Sequence, residues 1–98
     1  MAYVEIYTKD YCPYCDKAKL LLDQLNVDYV EIDLVAEPER YDELSLRRPN
    51  ARTVPQIFIN DTGIGGCDDL YALHDTGKLK PLLDEVERPM DGENEPLA

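Results

Sequence analysis

Two thiols separated by two residues, Cys12-Pro13-Tyr14-Cys15, are the side chains of this sequence best suited to covalent chemistry. Within one turn of helix, positions three apart have Cα atoms about 5–6 Å apart, inside the span that a disulfide accepts. Such a pair can close into a disulfide and open again. The preceding run, Val4-Glu5-Ile6-Tyr7-Thr8, alternates as a strand does, and Ala18, Leu21, Leu22 and Leu25 behind it follow the i, i+3, i+4, i+7 spacing of a helix. The pair therefore falls on a strand-to-helix turn. Unpaired N–H groups and the positive end of the helix dipole favour a thiolate at Cys12. A thiol with a free pKa of about 8.5 falls to about 3.5–7.5 in such a setting. Cys12, at the helix start and the more exposed of the two, is expected to attack. Cys15, one turn in, is expected to keep a higher pKa and to resolve the mixed disulfide, a step that a second small thiol can also perform.

Zinc is the main rival use of these residues, because Cys12, Cys15, Cys67 and His74 are all candidate ligands. Cys67 and His74 lie seven apart on one predicted helix, a rise of roughly 10 Å, too far to share an ion whose bonds are about 2 Å. No metal site is expected.

Other segments bear on the same chemistry. Thr53-Val54-Pro55 enters a predicted strand, where Pro55 is tolerated at the first position. Alternatively it is a cis-proline loop facing the thiols, with Val54 offering its N–H and C=O to an extended substrate. Gly65-Gly66-Cys67-Asp68-Asp69 combines permissive backbone with a helix start. Its bare N–H groups suit a carboxylate and Asp68 suits an ammonium, so a zwitterion beside a thiol would fit. Cys67 reads first as a small buried residue before the cap and second as a third redox cysteine. Lys9, three residues before Cys12, is either a solvated strand end or a charge that steadies the thiolate or a ligand carboxylate. Tyr14 is expected to be an exposed ring lying against the substrate.

These residues need elements to hold them. Tyr3 to Thr8 is the first predicted strand, and Pro13 suits the first position of the helix that follows. Asn26 and Asp28 end that helix before a second strand, Tyr29 to Leu34, completing a right-handed βαβ unit. Glu37-Pro38 opens an acidic helix running to about Arg48, with Tyr41 and Leu44 as its expected buried residues and Pro49-Asn50 as its stop. Gln56 to Ile59 is a third strand, and Asn60-Asp61-Thr62-Gly63 turns into a short fourth near Ile64. Asp68 or Asp69 is expected to cap a helix that closes at Gly77, and Leu79, Leu82, Leu83 and Val86 mark a last helix.

The whole chain, 98 residues with 44% hydrophobic, is enough for one domain with one modest core. The reading is a single domain over residues 1–87 and an acidic, unstructured tail over residues 88–98. The formal charge of −11 argues against nucleic acid and anionic membranes as partners. No apolar run reaches membrane-spanning length, and MAYVEIYT resembles no signal segment, so a cytoplasmic monomer is expected, where a CxxC pair is more often catalytic or metal-binding than structural. The basic residues are clustered against this acidity. Lys9, Lys17 and Lys19 flank the thiols, and Arg47, Arg48 and Arg52 precede Thr53, an arrangement suited to receive an anion.

Four motifs taken in order, Val4 to Lys9, Cys12 to Cys15, Thr53 to Ile59 and Ile64 to Leu70, make the chain resemble the small bacterial dithiol glutaredoxins over residues 2 to 85. The resemblance implies an α/β thioredoxin fold with a four-stranded mixed sheet flanked by helices. It implies a glutathione-dependent thiol–disulfide oxidoreductase, with glutathione as reducing co-substrate and with protein disulfides and glutathionylated proteins as substrates. It assigns attack to Cys12 and resolution to Cys15. Around glutathione it places Lys9, Cys12, Tyr14, Thr53, Val54, Pro55 in cis, Gly66, Cys67 and Asp68. Two positions depart from the family. Where a Gln or Arg of the second helix often holds a glutathione carboxylate, this chain has Asp42, so Arg40 or Arg48 is the expected substitute. Asn50 stands where Gly is common, as Asn can in a left-handed turn. Two other readings stay open: an electron donor coupled to thioredoxin reductase, which the Gly65 to Asp69 segment argues against, and an iron–sulfur carrier, which Pro13 and a competing Cys15 argue against.

Overall fold

The structure, a computed structural model, describes residues 2–85. Val86, the domain boundary at residue 87 and the tail over 88–98 lie outside the described residues. The strands are β1 (Val4–Thr8), β2 (Val30–Asp33), β3 (Gln56–Ile59) and β4 (Thr62–Gly65). The helices are α1 (Pro13–Gln24), α2 (Arg40–Arg47), α3 (Cys67–Asp75) and α4 (Leu79–Asp84). The sheet order is β2-β1-β3-β4, with β1 parallel to β2 and antiparallel to β3, and β4 antiparallel to β3. The expected α/β thioredoxin fold with a four-stranded mixed sheet is the one found.

Alternation along the central strands sorts side chains to the two faces. Val4, Ile6, Ile57 and Ile59 pack with Ala18, Leu21 and Leu22 of α1 and with Cys67 and Leu70 of α3. Tyr7, Ile32 and Phe58 point the other way and pack with Leu34 and Leu44. Every residue of β3 is buried, as expected for a strand covered on both faces.

Several boundaries differ from the sequence reading. β2 has four residues where six were expected, yet Leu34 beyond its end donates its N–H to the Thr8 carbonyl at 2.9 Å and is fully buried. α2 begins at Arg40 because Glu37 to Glu39 form a turn, with the Arg40 N–H bonded to the Glu37 carbonyl at 2.9 Å. Leu44 is buried as expected, but Tyr41 is not: its ring lies at the helix rim with the Lys9 ammonium 5.6 Å from the centroid. A helix this short buries a narrow stripe, and Tyr41 falls beside it. α3 is capped by Gly66, not by Asp68 or Asp69. Asp69 reaches back from the third helical position to accept the Gly66 N–H at 3.0 Å. Its carboxylate fills the space a side chain at Gly65 (φ +109°) would need, so both backbone and room call for glycine there. Cys67 is consequently the first residue of the helix, not a residue before its cap. Asn50 keeps a negative φ, so the left-handed turn expected at that position is absent. α3 closes as predicted, with Gly77 at φ +75° just past its end.

Candidate active site

Cys12 is the N-cap of α1, held in an extended conformation, with Pro13 at the first helical position. Its sulfur accepts the Cys15 N–H at 3.1 Å, a contact that stabilises negative charge on Cys12. Cys12 and Cys15 are joined as a disulfide with Cα atoms 5.1 Å apart. Cys12 is half-buried at the surface, whereas Cys15 is 1% exposed beneath it. The difference fits one sulfur that meets substrate and one that follows from inside.

The peptide bond between Val54 and Pro55 is cis, as the second reading of that loop expected. The loop brings the Val54 carbonyl oxygen to 3.8 Å from the Cys12 sulfur, across 42 residues of sequence. Behind it Gln56, 5% exposed, donates its side-chain amide to the Thr53 carbonyl at 2.9 Å and pins the turn. Gln56 was not among the residues expected at the site, although one amide in the apolar run Gln56-Ile57-Phe58-Ile59 was a visible signal.

A cleft of about 540 Å³ opens beside the thiols. Tyr14, Thr53, Val54, Pro55, Gly66, Cys67 and Asp68 all line it. Gly66 approaches the loop so closely that a Cβ there would sit 3.2 Å from the Pro55 carbonyl oxygen. Lys9 does not line the cleft. It borders an adjoining hollow with Tyr41 and Leu44, a hollow that shares Arg52, Thr53 and Val54 with the cleft.

The cations do not all gather at the thiols. Arg48 and Arg52 line the cleft. Lys19 pairs with Glu31 at 3.0 Å instead of facing the thiols. Arg47 bonds Glu5 and Asp61 at 2.8 Å each and lies 3.8 Å over the Phe58 ring. Arg40 also leaves the site, since Glu43 and Glu37 occupy its guanidinium. Of the two expected substitutes for Asp42, only Arg48 reaches the cleft, and Arg52 joins it. Asp68 and Asp69 line the same cleft, so it presents both cations and carboxylates.

Cys67 is 4% exposed, and its thiol is pushed up from the ordinary range chiefly by burial; Lys17 opposes the shift and Asp68 adds to it. It packs in the core cluster with Leu70 and Ala18 while touching the cleft wall. Among the described residues no cluster of side chains is arranged to hold a metal ion.

Comparison with known proteins agrees with this geometry. The glutaredoxin family model matches residues 4–64. The chain is 51% identical to Glutaredoxin 3 of Escherichia coli K12 over 83 residues, covering 85% of this chain and 99% of that one. The solution structure of a glutaredoxin from Brucella melitensis superposes with a TM-score of 0.73 at 51% identity, covering 85% of this chain and 89% of the other. A buckwheat glutaredoxin crystallised as its glutathione complex gives a TM-score of 0.75 at 37% identity, over 84% of this chain and 76% of that one.

Proposed function

The chain belongs to the glutaredoxin family and is a thiol–disulfide oxidoreductase, and on that footing we propose how its residues divide the work. The observation that carries the proposal is the arrangement of Cys12: at a helix N-terminus, with a backbone N–H on its sulfur and the cis-proline loop beside it. The Cys12 thiolate attacks one sulfur of a disulfide, and the other sulfur leaves as a thiolate. In a protein disulfide, Cys15 then attacks Cys12 and releases the substrate as a dithiol. In a glutathione mixed disulfide, Cys12 takes the glutathionyl group and a second glutathione removes it as glutathione disulfide. Two glutathione molecules likewise return the Cys12–Cys15 disulfide to the dithiol.

Glutathione occupies the cleft beside Tyr14, its cysteine residue running along Val54 as a short added strand at the Thr53-Val54-Pro55 loop. Its ammonium faces Asp68, and one carboxylate meets the backbone at Gly66 and Cys67. The other carboxylate meets Arg48 and Arg52, in place of the second-helix residue that this chain lacks. Lys9 acts from the adjoining hollow, adding positive potential without forming the wall. Among the described residues no helix is long and apolar enough to cross a membrane. A cysteine pair of this kind fits a monomer working in the reducing cytoplasm.

The test is a pair of substitutions. Cys12→Ser abolishes turnover of every disulfide substrate. Cys15→Ser retains reduction of glutathione mixed disulfides, which needs only Cys12 and free glutathione, and loses reduction of protein disulfides, which needs both. Equal loss in the two variants on a glutathione mixed disulfide would overturn the assignment.

A further inference from the structure

Immediately before Cys12 stands a tyrosine that solvent surrounds completely, 101% exposed. An exposed ring alone decides nothing, since folded proteins carry many. Its backbone is a second, independent observation. Tyr11 holds φ +52°, in the left-handed region that a bulky residue seldom adopts. Among the described residues the other non-glycine positions with positive φ are Asn26, Asn60 and Asp61, types that tolerate that conformation through short polar side chains. Tyr11 is the exception, and it gains no packing in return: its ring belongs to neither core cluster and lines no part of the cleft. A strained residue beside a reactive sulfur, serving neither core nor cleft, calls for a role in the reaction.

We propose that Tyr11 is a specificity-determining residue for polypeptide disulfides, its ring packing against the substrate chain on either side of the reacting cysteine. The inference rests on the assignment of Cys12 as nucleophile. In the first step the Cys12 thiolate forms a bond to one substrate sulfur as the substrate S–S bond breaks and the other sulfur leaves with the electron pair. That mixed disulfide holds the substrate cysteine Cα about 4.4–6.8 Å from the Cα of Cys12. The Tyr11 Cα is about 3.8 Å from that of Cys12. Residues flanking the substrate cysteine are thereby brought within reach of the tyrosine ring. Cys15 then attacks Cys12, the first substrate sulfur leaves as a thiolate, and two electrons have passed from the dithiol to the substrate. A glutathionyl group is small enough for the cleft; a polypeptide extends past it. A rigid aromatic with two rotatable bonds contacts such a chain at low entropic cost and tolerates many sequences.

The test uses Tyr11→Asn, which keeps a residue suited to left-handed backbone while removing the ring, and Tyr11→Phe, which keeps the ring. One substrate is the mixed disulfide of glutathione and 2-mercaptoethanol, reduced with glutathione. The other is a pair of ten-residue peptides joined by one disulfide, with leucine next to each cysteine, reduced with dithiothreitol so that no glutathione is needed. For the peptide disulfide, Tyr11→Asn lowers kcat/KM by about five- to tenfold, mostly through KM, while Tyr11→Phe stays within about twofold. Both variants stay within about twofold of the parent on the small substrate. An unchanged peptide reaction in Tyr11→Asn overturns the proposal, and so does an equal loss on both substrates, which would place the effect on Cys12 itself. If the parent protein cannot reduce the small substrate with glutathione, the glutathione assignment fails instead, and the peptide comparison still reads Tyr11.

Discussion

Cys12 and Cys67 both sit at helix N-termini, yet their surroundings drive them apart. Cys12 is half-buried with a backbone N–H on its sulfur, whereas Cys67 is 4% exposed within the core and its thiol is raised by burial. A helix dipole favours a thiolate only where the sulfur keeps enough solvent to carry charge. After reduction of the disulfide, iodoacetamide at pH 7 should therefore label Cys12 about tenfold faster than Cys67, or more. The two labelling rates should also titrate in different windows. That of Cys67 should keep rising above the pH at which that of Cys12 levels off, because burial raises the Cys67 thiol. Mass mapping of the labelled peptides reads both, and rapid native labelling of Cys67 at pH 7 would remove the distinction.

At the scale of elements, α2 is the piece whose placement decides the cleft, since its last turn leads into the Pro49-to-Pro55 segment. It buries one leucine, Leu44, so apolar packing holds it weakly. A polar hub makes up the difference. Arg47 joins Glu5 of β1, Asp61 of the β3–β4 turn and the Tyr7 hydroxyl, which in turn bonds Glu43. The Tyr7 phenol is pushed above its ordinary range first by burial and then by its bond to Glu43, so it remains a neutral donor at physiological pH. Arg47 and Glu5 side chains are 19% and 14% exposed, so removing one strands the other in a poorly solvated place. Arg47→Ala should cost about 3 kcal/mol. For a domain of this size that lowers Tm by roughly 12–24 °C in a calorimetric scan. Combining Arg47→Met with Glu5→Gln should restore much of the loss, because neither charge is then buried alone. A change of only a degree or two in Arg47→Ala would show that α2 is held by something else.

At the scale of the whole molecule, a protein of formal charge −11 has a net anion, glutathione, as its proposed reductant. Two opposing fields result: general repulsion, and local attraction from Arg48 and Arg52 within the cleft. Both are screened over about 8 Å at physiological salt, so the nearer charges dominate at the site. The sign of the salt effect separates them. In the parent protein, raising salt from about 20 to 300 mM should raise the KM for glutathione, because attraction is what is lost. In Arg48→Glu combined with Arg52→Glu, KM should start roughly fivefold higher and fall with salt, because only repulsion remains to be screened. Steady-state kinetics across that range checks it. The same slope in both proteins would dismiss the arginines as glutathione ligands.

What the sequence determined by itself was local. The spacing of Cys12 and Cys15, Pro13 at a helix start, and the periods of β1 and α1 depend on neighbours within a turn or two, and all stand in the structure. So do the strand at Gln56 to Ile59 and the stop at Gly77, which rest on residue type. Tertiary structure decided the rest, because it turns on contacts between distant segments. Only the folded sheet brings Val54 beside Cys12 and closes the cleft with Gly66. Only it tells Arg47 from Arg48, because a stretch with one buried leucine does not reveal which side the sheet will cover. Arg47 bonds Glu5 over the Phe58 ring, while Arg48, the C-cap of α2, lies against Gly63 and lines the cleft. The left-handed turn at Tyr11 was equally hidden, because tyrosine has no local preference for that backbone.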